Sequence, residues 1–171
     1  YNVSCFGGNN ATIDIQVNGG TTPFDNYLNN TLQAGLISNN LSAGNYTDSI
    51  VDLNGCNANA SITLNQPSQL NSSISALDIT NCGANDGIIN LSVSGGTGIY
   101  SYIWTNNDTT EDLNNLSSGT YSVTITDINN CITTNTKTPC LIGEKLVVTI
   151  CFCTYTRHLT LFYANPLFRV H

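Results

Sequence analysis

No lysine or arginine occurs before Lys137, and no methionine occurs at all. The first absence leaves residues 1–136 with ten of the eleven acidic side chains and a net charge of −10. Phosphate backbones and anionic headgroups find no counter-charge there, so nucleic acid and anionic membrane are poor partners for this span, and neither nucleic-acid binding nor membrane insertion is expected. Histidine is nearly absent too: His158 and His171 are the only two, both beyond residue 140. A Ser–His–Asp or Cys–His arrangement needs a base beside its nucleophile, so no catalytic residue is assigned and no enzyme is expected. Long apolar runs are also missing. The most apolar stretch, Leu146 to Cys153, contains Thr149 and is soon followed by Arg157 and His158, too short for a bilayer span.

What is present is a repeat. LSSGTYSVTITDINNC, Leu116 to Cys131, alternates Tyr121, Val123 and Ile125 with Ser122, Thr124 and Thr126, the period of a strand with one buried face. Asp127 to Asn130 then carries turn chemistry. LSAGNYTDSIVDLNGC, Leu41 to Cys56, repeats it, with leucine, tyrosine, aspartate and cysteine all displaced by 75 residues. A tandem array follows. Tyr1 enters partway through a copy and is not methionine, so the chain reads as an internal piece of something longer.

In order, Tyr1 to Cys5 is expected to end a first strand. Thr12 to Val17 follows as the next, with Ile13, Ile15 and Val17 on one face, and Gly19-Gly20 closes it. Leu32 to Ile37 is ambiguous between strand and turn. Asn45 to Asp52 is the signature strand, Asn59 to Leu64 the last, and Pro67 a linker residue. Copy two repeats this with strands at Ser72 to Thr80 and at Ile89, Leu91 and Val93. Gly95-Gly96 and the aromatic strand Tyr100, Tyr102, Trp104 come next, then a short strand near Thr109 to Leu113. The pattern predicts an all-β chain of two antiparallel β-sandwich repeats, 1–67 and 68–140, with a divergent tail, 141–171. Copy two shows no clear counterpart of Asn59 to Leu64. Leu146 to Phe152 is one candidate for that strand; a tail foreign to the repeat, or a capping segment, are the others.

GGTGIYSYIW together with the two signature strands resembles the SprB-type repeat of gliding-bacterium cell-surface adhesins, over roughly residues 1–136. The resemblance implies Ig- or PKD-like tandem sandwiches, export by the type IX route to the cell surface or medium, and a role in adhesion and gliding motility. It implies neighbouring repeats of the same chain as partners, with surface glycans or solid surfaces outside. A carbohydrate-binding module, or an accessory domain of a secreted enzyme, is the alternative.

Several residues are candidates for more than packing. Tyr100, Tyr102 and Trp104 lie on one strand face, which suits either a sandwich core or a glycan platform. Asp48 stands where copy two has Val123, so it either reaches solvent at an edge or weakens copy one. Asn85-Asp86, Asp52-Asn54 and Asp127-Asn129 are Asx-turn sequences that also carry calcium-type ligands. No cofactor is expected, calcium being the one ion those loops leave open. No metal site is assigned: Cys140, Cys151, Cys153 and His158 lack zinc-knuckle spacing. Ser49 and Thr109, each after an aspartate, fit the O-glycosylation pattern the resemblance implies.

Export into an oxidising compartment would leave Cys5, Cys56, Cys82 and Cys131 paired. Within-copy bonds, Cys5–Cys56 and Cys82–Cys131, are the simplest set. An Ig-like strand order puts those partners at opposite ends of a sandwich, which favours Cys5–Cys131 across the junction, with Cys56 and Cys82 left for other copies. Free thiols are the third reading.

Overall fold

A computed structural model describes residues 1–81 and 83–140. All of the described secondary structure is β. Six strands form the first copy: β1 (Ala11–Asp14), β2 (Asp25–Leu28), β3 (Thr31–Leu32), β4 (Ile37–Leu41), β5 (Gly44–Val51) and β6 (Asn57–Leu64). Six more form the second: β7 (Asn71–Leu77), β8 (Gly87–Ser94), β9 (Ser101–Trp104), β10 (Leu113–Leu116), β11 (Tyr121–Thr126) and β12 (Ile132–Lys137). Each copy is a sandwich of two antiparallel sheets. Copy one pairs β1 with β4, opposite the sheet β3-β2-β5-β6. Copy two sets β10-β8-β7 opposite β12-β11-β9. Tyr1 exchanges two backbone hydrogen bonds with Thr12, so the N-terminal residues lie along β1 as β7 lies along β8.

The core of copy two is built by the period-two faces of its strands. Ile89 and Leu91 of β8, and Leu113 and Leu116 of β10, meet Trp104, Val123 and Ile125 of the other sheet. The signature motif earns its spacing here. Tyr121 Oη donates to the Ser117 carbonyl at 3.1 Å, and Tyr46 Oη to the Ser42 carbonyl at 3.0 Å, pinning the corner before each signature strand.

Copy one repeats the frame with a poorer filling. Val3, Ala11, Ile13, Leu28 and Leu64 form its cluster. Asn26 and Asp48 are buried beside Leu28 and Ile50 on the same two strands. Asp48 lies on β5, flanked by β2 and β6, so the expected escape to a sheet edge is not available. Among the described residues, neither Asn26 Oδ1 nor Asp48 Oδ1 has a hydrogen-bond partner. Burial raises the Asp48 carboxyl above its ordinary pKa, because the charged form loses its solvation.

Two expectations are corrected, and one open reading is resolved. The last strand of copy two is β12, immediately after Cys131, so Leu146 to Phe152 is not needed for that place. That segment, with the rest of the tail, lies outside the described residues. β12 carries no apolar face; it is held by full pairing to β11 and by Asn135 Nδ2, which donates to the Ser72 carbonyl at 3.1 Å. The strand expected near Thr109 to Leu113 begins only at Leu113, because Asp108 Oδ1 accepts from Thr110 N (2.9 Å) and turns the chain there. Of the two readings of Leu32 to Ile37, strand or turn, the structure takes the second, with bends at residues 34–36. Just before it, β2 and β3 form a hairpin at Asn29-Asn30, both with positive φ (47° and 64°), the geometry of a two-residue turn.

Candidate functional site

The residues that recur in both copies but pack neither core collect at the ends of the sandwiches. One such end forms the junction between copies. β5 and β6 run side by side from Gly44↔Leu64 to Val51↔Asn57. Seven residue steps separate those ends, roughly 23 Å at strand rise. Val3 N donates to the Asn65 carbonyl (3.0 Å), and Gly7 N to Gln66 Oε1 (2.7 Å), so the Cys5 loop sits at the Leu64 end. Cys56 follows β5 at the other end. A Cys5–Cys56 bond, which needs Cα atoms within about 7 Å, is therefore out of reach.

Cys5 is bonded instead to Cys131 of copy two, with Cα atoms 5.6 Å apart. That bond also excludes Cys82–Cys131; Cys82 itself lies outside the described residues. Cys140 is disulfide-bonded as well, which removes it from any thiolate metal set. Cys56 is a free, exposed thiol.

The receiving side of the junction is organised by Asp127. Its buried carboxylate accepts from the backbone N–H of Asn129 and Cys131 through Oδ1 (2.9 Å each) and of Thr97 through Oδ2 (2.8 Å). The turn so fixed presents Asn129, whose Nδ2 donates to Thr97 Oγ1 (3.0 Å) and across the junction to the Ser4 carbonyl (3.1 Å). The glycine pair completes the seat. Gly96 N donates to the Ser68 carbonyl of the linker (3.0 Å), and a Cβ on Gly95 would lie 1.9 Å from the Gln69 carbonyl oxygen. Only glycine lets the linker pass so close.

The same construction stands at the far end of copy one. Asp52 accepts from Asn54 N and Cys56 N through Oδ1 (2.9 Å each) and from Thr21 N through Oδ2 (3.0 Å). Asn54 Nδ2 donates to Thr21 Oγ1 at 3.0 Å. Hydrogen bonds from the backbone N–H of Cys56, then of Thr21, hold the Asp52 carboxyl below its ordinary pKa. These carboxylates are thus taken up by backbone donors, as Asx turns require. Asp86 is engaged likewise, by Thr80 N and Oγ1. Among the described residues, no three His, Cys, Asp or Glu side chains cluster as a metal site.

The aromatic strand is core. Trp104 is 1% exposed, and its Nε1 donates to the Thr110 carbonyl at 2.8 Å. Tyr100 and Tyr102 pack half-buried against the same cluster. A glycan platform needs open ring faces, and Trp104 offers none. Of the two O-glycosylation candidates, Thr109 is exposed in the loop after β9, whereas Ser49 is half-buried within β5, between its partners Tyr27 and Asn59.

Two stretches of this chain match the SprB repeat. They are residues 1–32 and 78–109, offset by 77 residues at both ends. In each copy the SprB match covers the cysteine loop, the strand after it, the glycine pair and the strand entered from it. Among solved structures, the amphioxus IgVJ-C2 molecule is similar at 13% identity, over 78% of this chain and 97% of that one, with a TM-score of 0.36. No curated protein matches the chain. Sequence reasoning did not anticipate Asn129, Thr97 or the Ser68–Gln69 linker as junction residues. The signal available was that Asp-x-Asn and Gly-Gly recur in both copies at positions with no core role.

Proposed function

We propose that this chain is a non-catalytic repeat segment of a large bacterial surface adhesin, and that it extends and presents the adhesin outside the cell. The observation that carries the reading is the Cys5–Cys131 bond between copies joined end to end. A disulfide across a domain junction belongs to an oxidising compartment, and it removes the hinge that a short linker would otherwise leave. The match to the SprB repeat and the lack of basic side chains through residue 136 support the same reading. Each copy has about 70 residues, a size at which one hydrophobic core is marginal. A covalent junction lets neighbouring copies hold each other.

Antibodies raised against residues 1–136 test it on cells that carry the protein. Labelling of intact cells that disappears after proteinase K treatment is the expected result. An epitope reached only after permeabilisation would overturn the surface role.

A further inference from the structure

The Cys131 end of copy two and the Cys56 end of copy one share four hydrogen bonds made by their aspartate and asparagine side chains. Asp127, Asn129, Thr97 and Cys131 correspond to Asp52, Asn54, Thr21 and Cys56, with each shared hydrogen bond within 0.2 Å of its counterpart. They differ in what faces them. Gly95 meets the linker at Gln69 and Asn129 holds the Ser4 carbonyl, whereas a Cβ on Gly19 would meet no described residue within 4 Å. Among the described residues, Asn54 Nδ2 donates to Thr21 alone. Beside them a cleft of about 170 Å³ opens between Gly19-Gly20, Phe24, Asp52 and Cys56.

We infer that the Cys56 end of copy one is an acceptor seat for the cysteine loop and linker of another repeat of this kind, arriving head to tail. In that seat Cys56 forms a disulfide with the incoming loop cysteine, Asn54 donates to the carbonyl before that cysteine, and the incoming linker crosses Gly19-Gly20. Continuity with the Cys5–Cys131 junction decides the occupant. The chemistry that fills one seat is a Ser-Cys-x-Gly-Gly loop, and the second seat has the same donors in the same places. A donor loop at one end and an acceptor seat at the other is a heterologous interface, which chains copies head to tail rather than closing them as a two-fold pair. The bond forms by exchange with a disulfide oxidant such as oxidised glutathione. The loop cysteine first carries a glutathionyl group; the Cys56 thiolate attacks its sulfur, and one S–S bond forms as the other breaks. Glutathione leaves with the electron pair and takes up the proton Cys56 released. The inference stands on the junction geometry and does not require the surface role.

By strand register Tyr1 corresponds to Leu77, so a second set of residues 1–76 fused ahead of Tyr1 supplies a preceding neighbour in frame. Folded in a glutathione redox buffer and mapped without reduction, the fused chain should show the added loop cysteine bonded to Cys56. A free Cys56 in a chain whose Cys5–Cys131 bond has formed would overturn the inference. Should that bond not form, the 171-residue chain decides. A peptide of residues 1–10, carried as its glutathione mixed disulfide, should couple to Cys56 about tenfold faster than the same peptide with its Ser4 carbonyl reduced to a methylene, since one well-placed hydrogen bond is worth about that factor. Asn54→Ala should abolish the preference. Equal rates for the two peptides, or a preference that survives Asn54→Ala, would count against the seat.

Discussion

Asp127 and Cys131 hold each other twice: Asp127 Oδ1 accepts from Cys131 N at 2.9 Å, and Asp127 N donates to the Cys131 carbonyl at 3.0 Å. Asp52 and Cys56 repeat both bonds, at 2.9 Å each. The aspartate of the signature is therefore the residue that aims the cysteine. It closes the turn after the strand and points the next sulfur out along the axis on which copies meet.

Asp127→Ala should destabilise copy two by about 2–4 kcal/mol, since three backbone N–H groups lose one buried carboxylate. Thermal melting under reducing conditions, where the disulfide cannot mask the loss, is the measurement. A melting temperature unchanged from the parent would show that the turn holds its shape without the carboxylate.

Trp104→Ala should cost copy two about 3–5 kcal/mol, as expected for a buried ring leaving a cavity. Trp104→Phe should cost less, losing part of the ring and the bond to Thr110. On a glycan array the folded parent should show no binding that depends on Trp104. An unchanged melt with lost glycan binding would restore the platform reading.

Asp48→Val should stabilise copy one by about 1–3 kcal/mol, because it replaces a buried acceptor without a partner by the apolar residue that copy two uses. The pH dependence has a definite sign. Burial raises the folded pKa of Asp48 above its unfolded value, so the charged form penalises folding at neutral pH, and the penalty lifts as pH falls through the raised pKa. Asp52 runs the other way: its lowered folded pKa gives stability that is present above the ordinary value of 3.8 and lost as pH falls through the folded one. Copy one should therefore gain stability on mild acidification and lose it only in stronger acid, with the gain absent from Asp48→Val. Equal slopes for parent and variant would mean the carboxylate is solvated.

Much of this was legible from the chain. The two-residue alternation around Val123 and Ile125 specifies strands, and the 75-residue displacement specifies two copies, because both are local patterns. The strand β12 was not legible, since Ile132 to Lys137 has no apolar face and gains its place from pairing with β11 and from Asn135 reaching Ser72. Nor was the β2–β3 hairpin: two asparagines at positive φ make that turn in a chain where asparagine is everywhere. At the junction, the cysteines and Asp127 stood out by recurrence. The role of Gly95 depends on a carbonyl 26 residues earlier, which no local pattern reveals.

The account rests on how the copies are joined, and digestion without reduction reads that directly. Cleavage before aspartate combined with trypsin separates Cys5 (fragment 1–13), Cys56 (fragment 52–77) and Cys131 (fragment 127–137). Fragment 1–13 linked to fragment 127–137 is the predicted result. Fragment 1–13 linked to fragment 52–77 would place the bond within one copy and contradict the end-to-end junction.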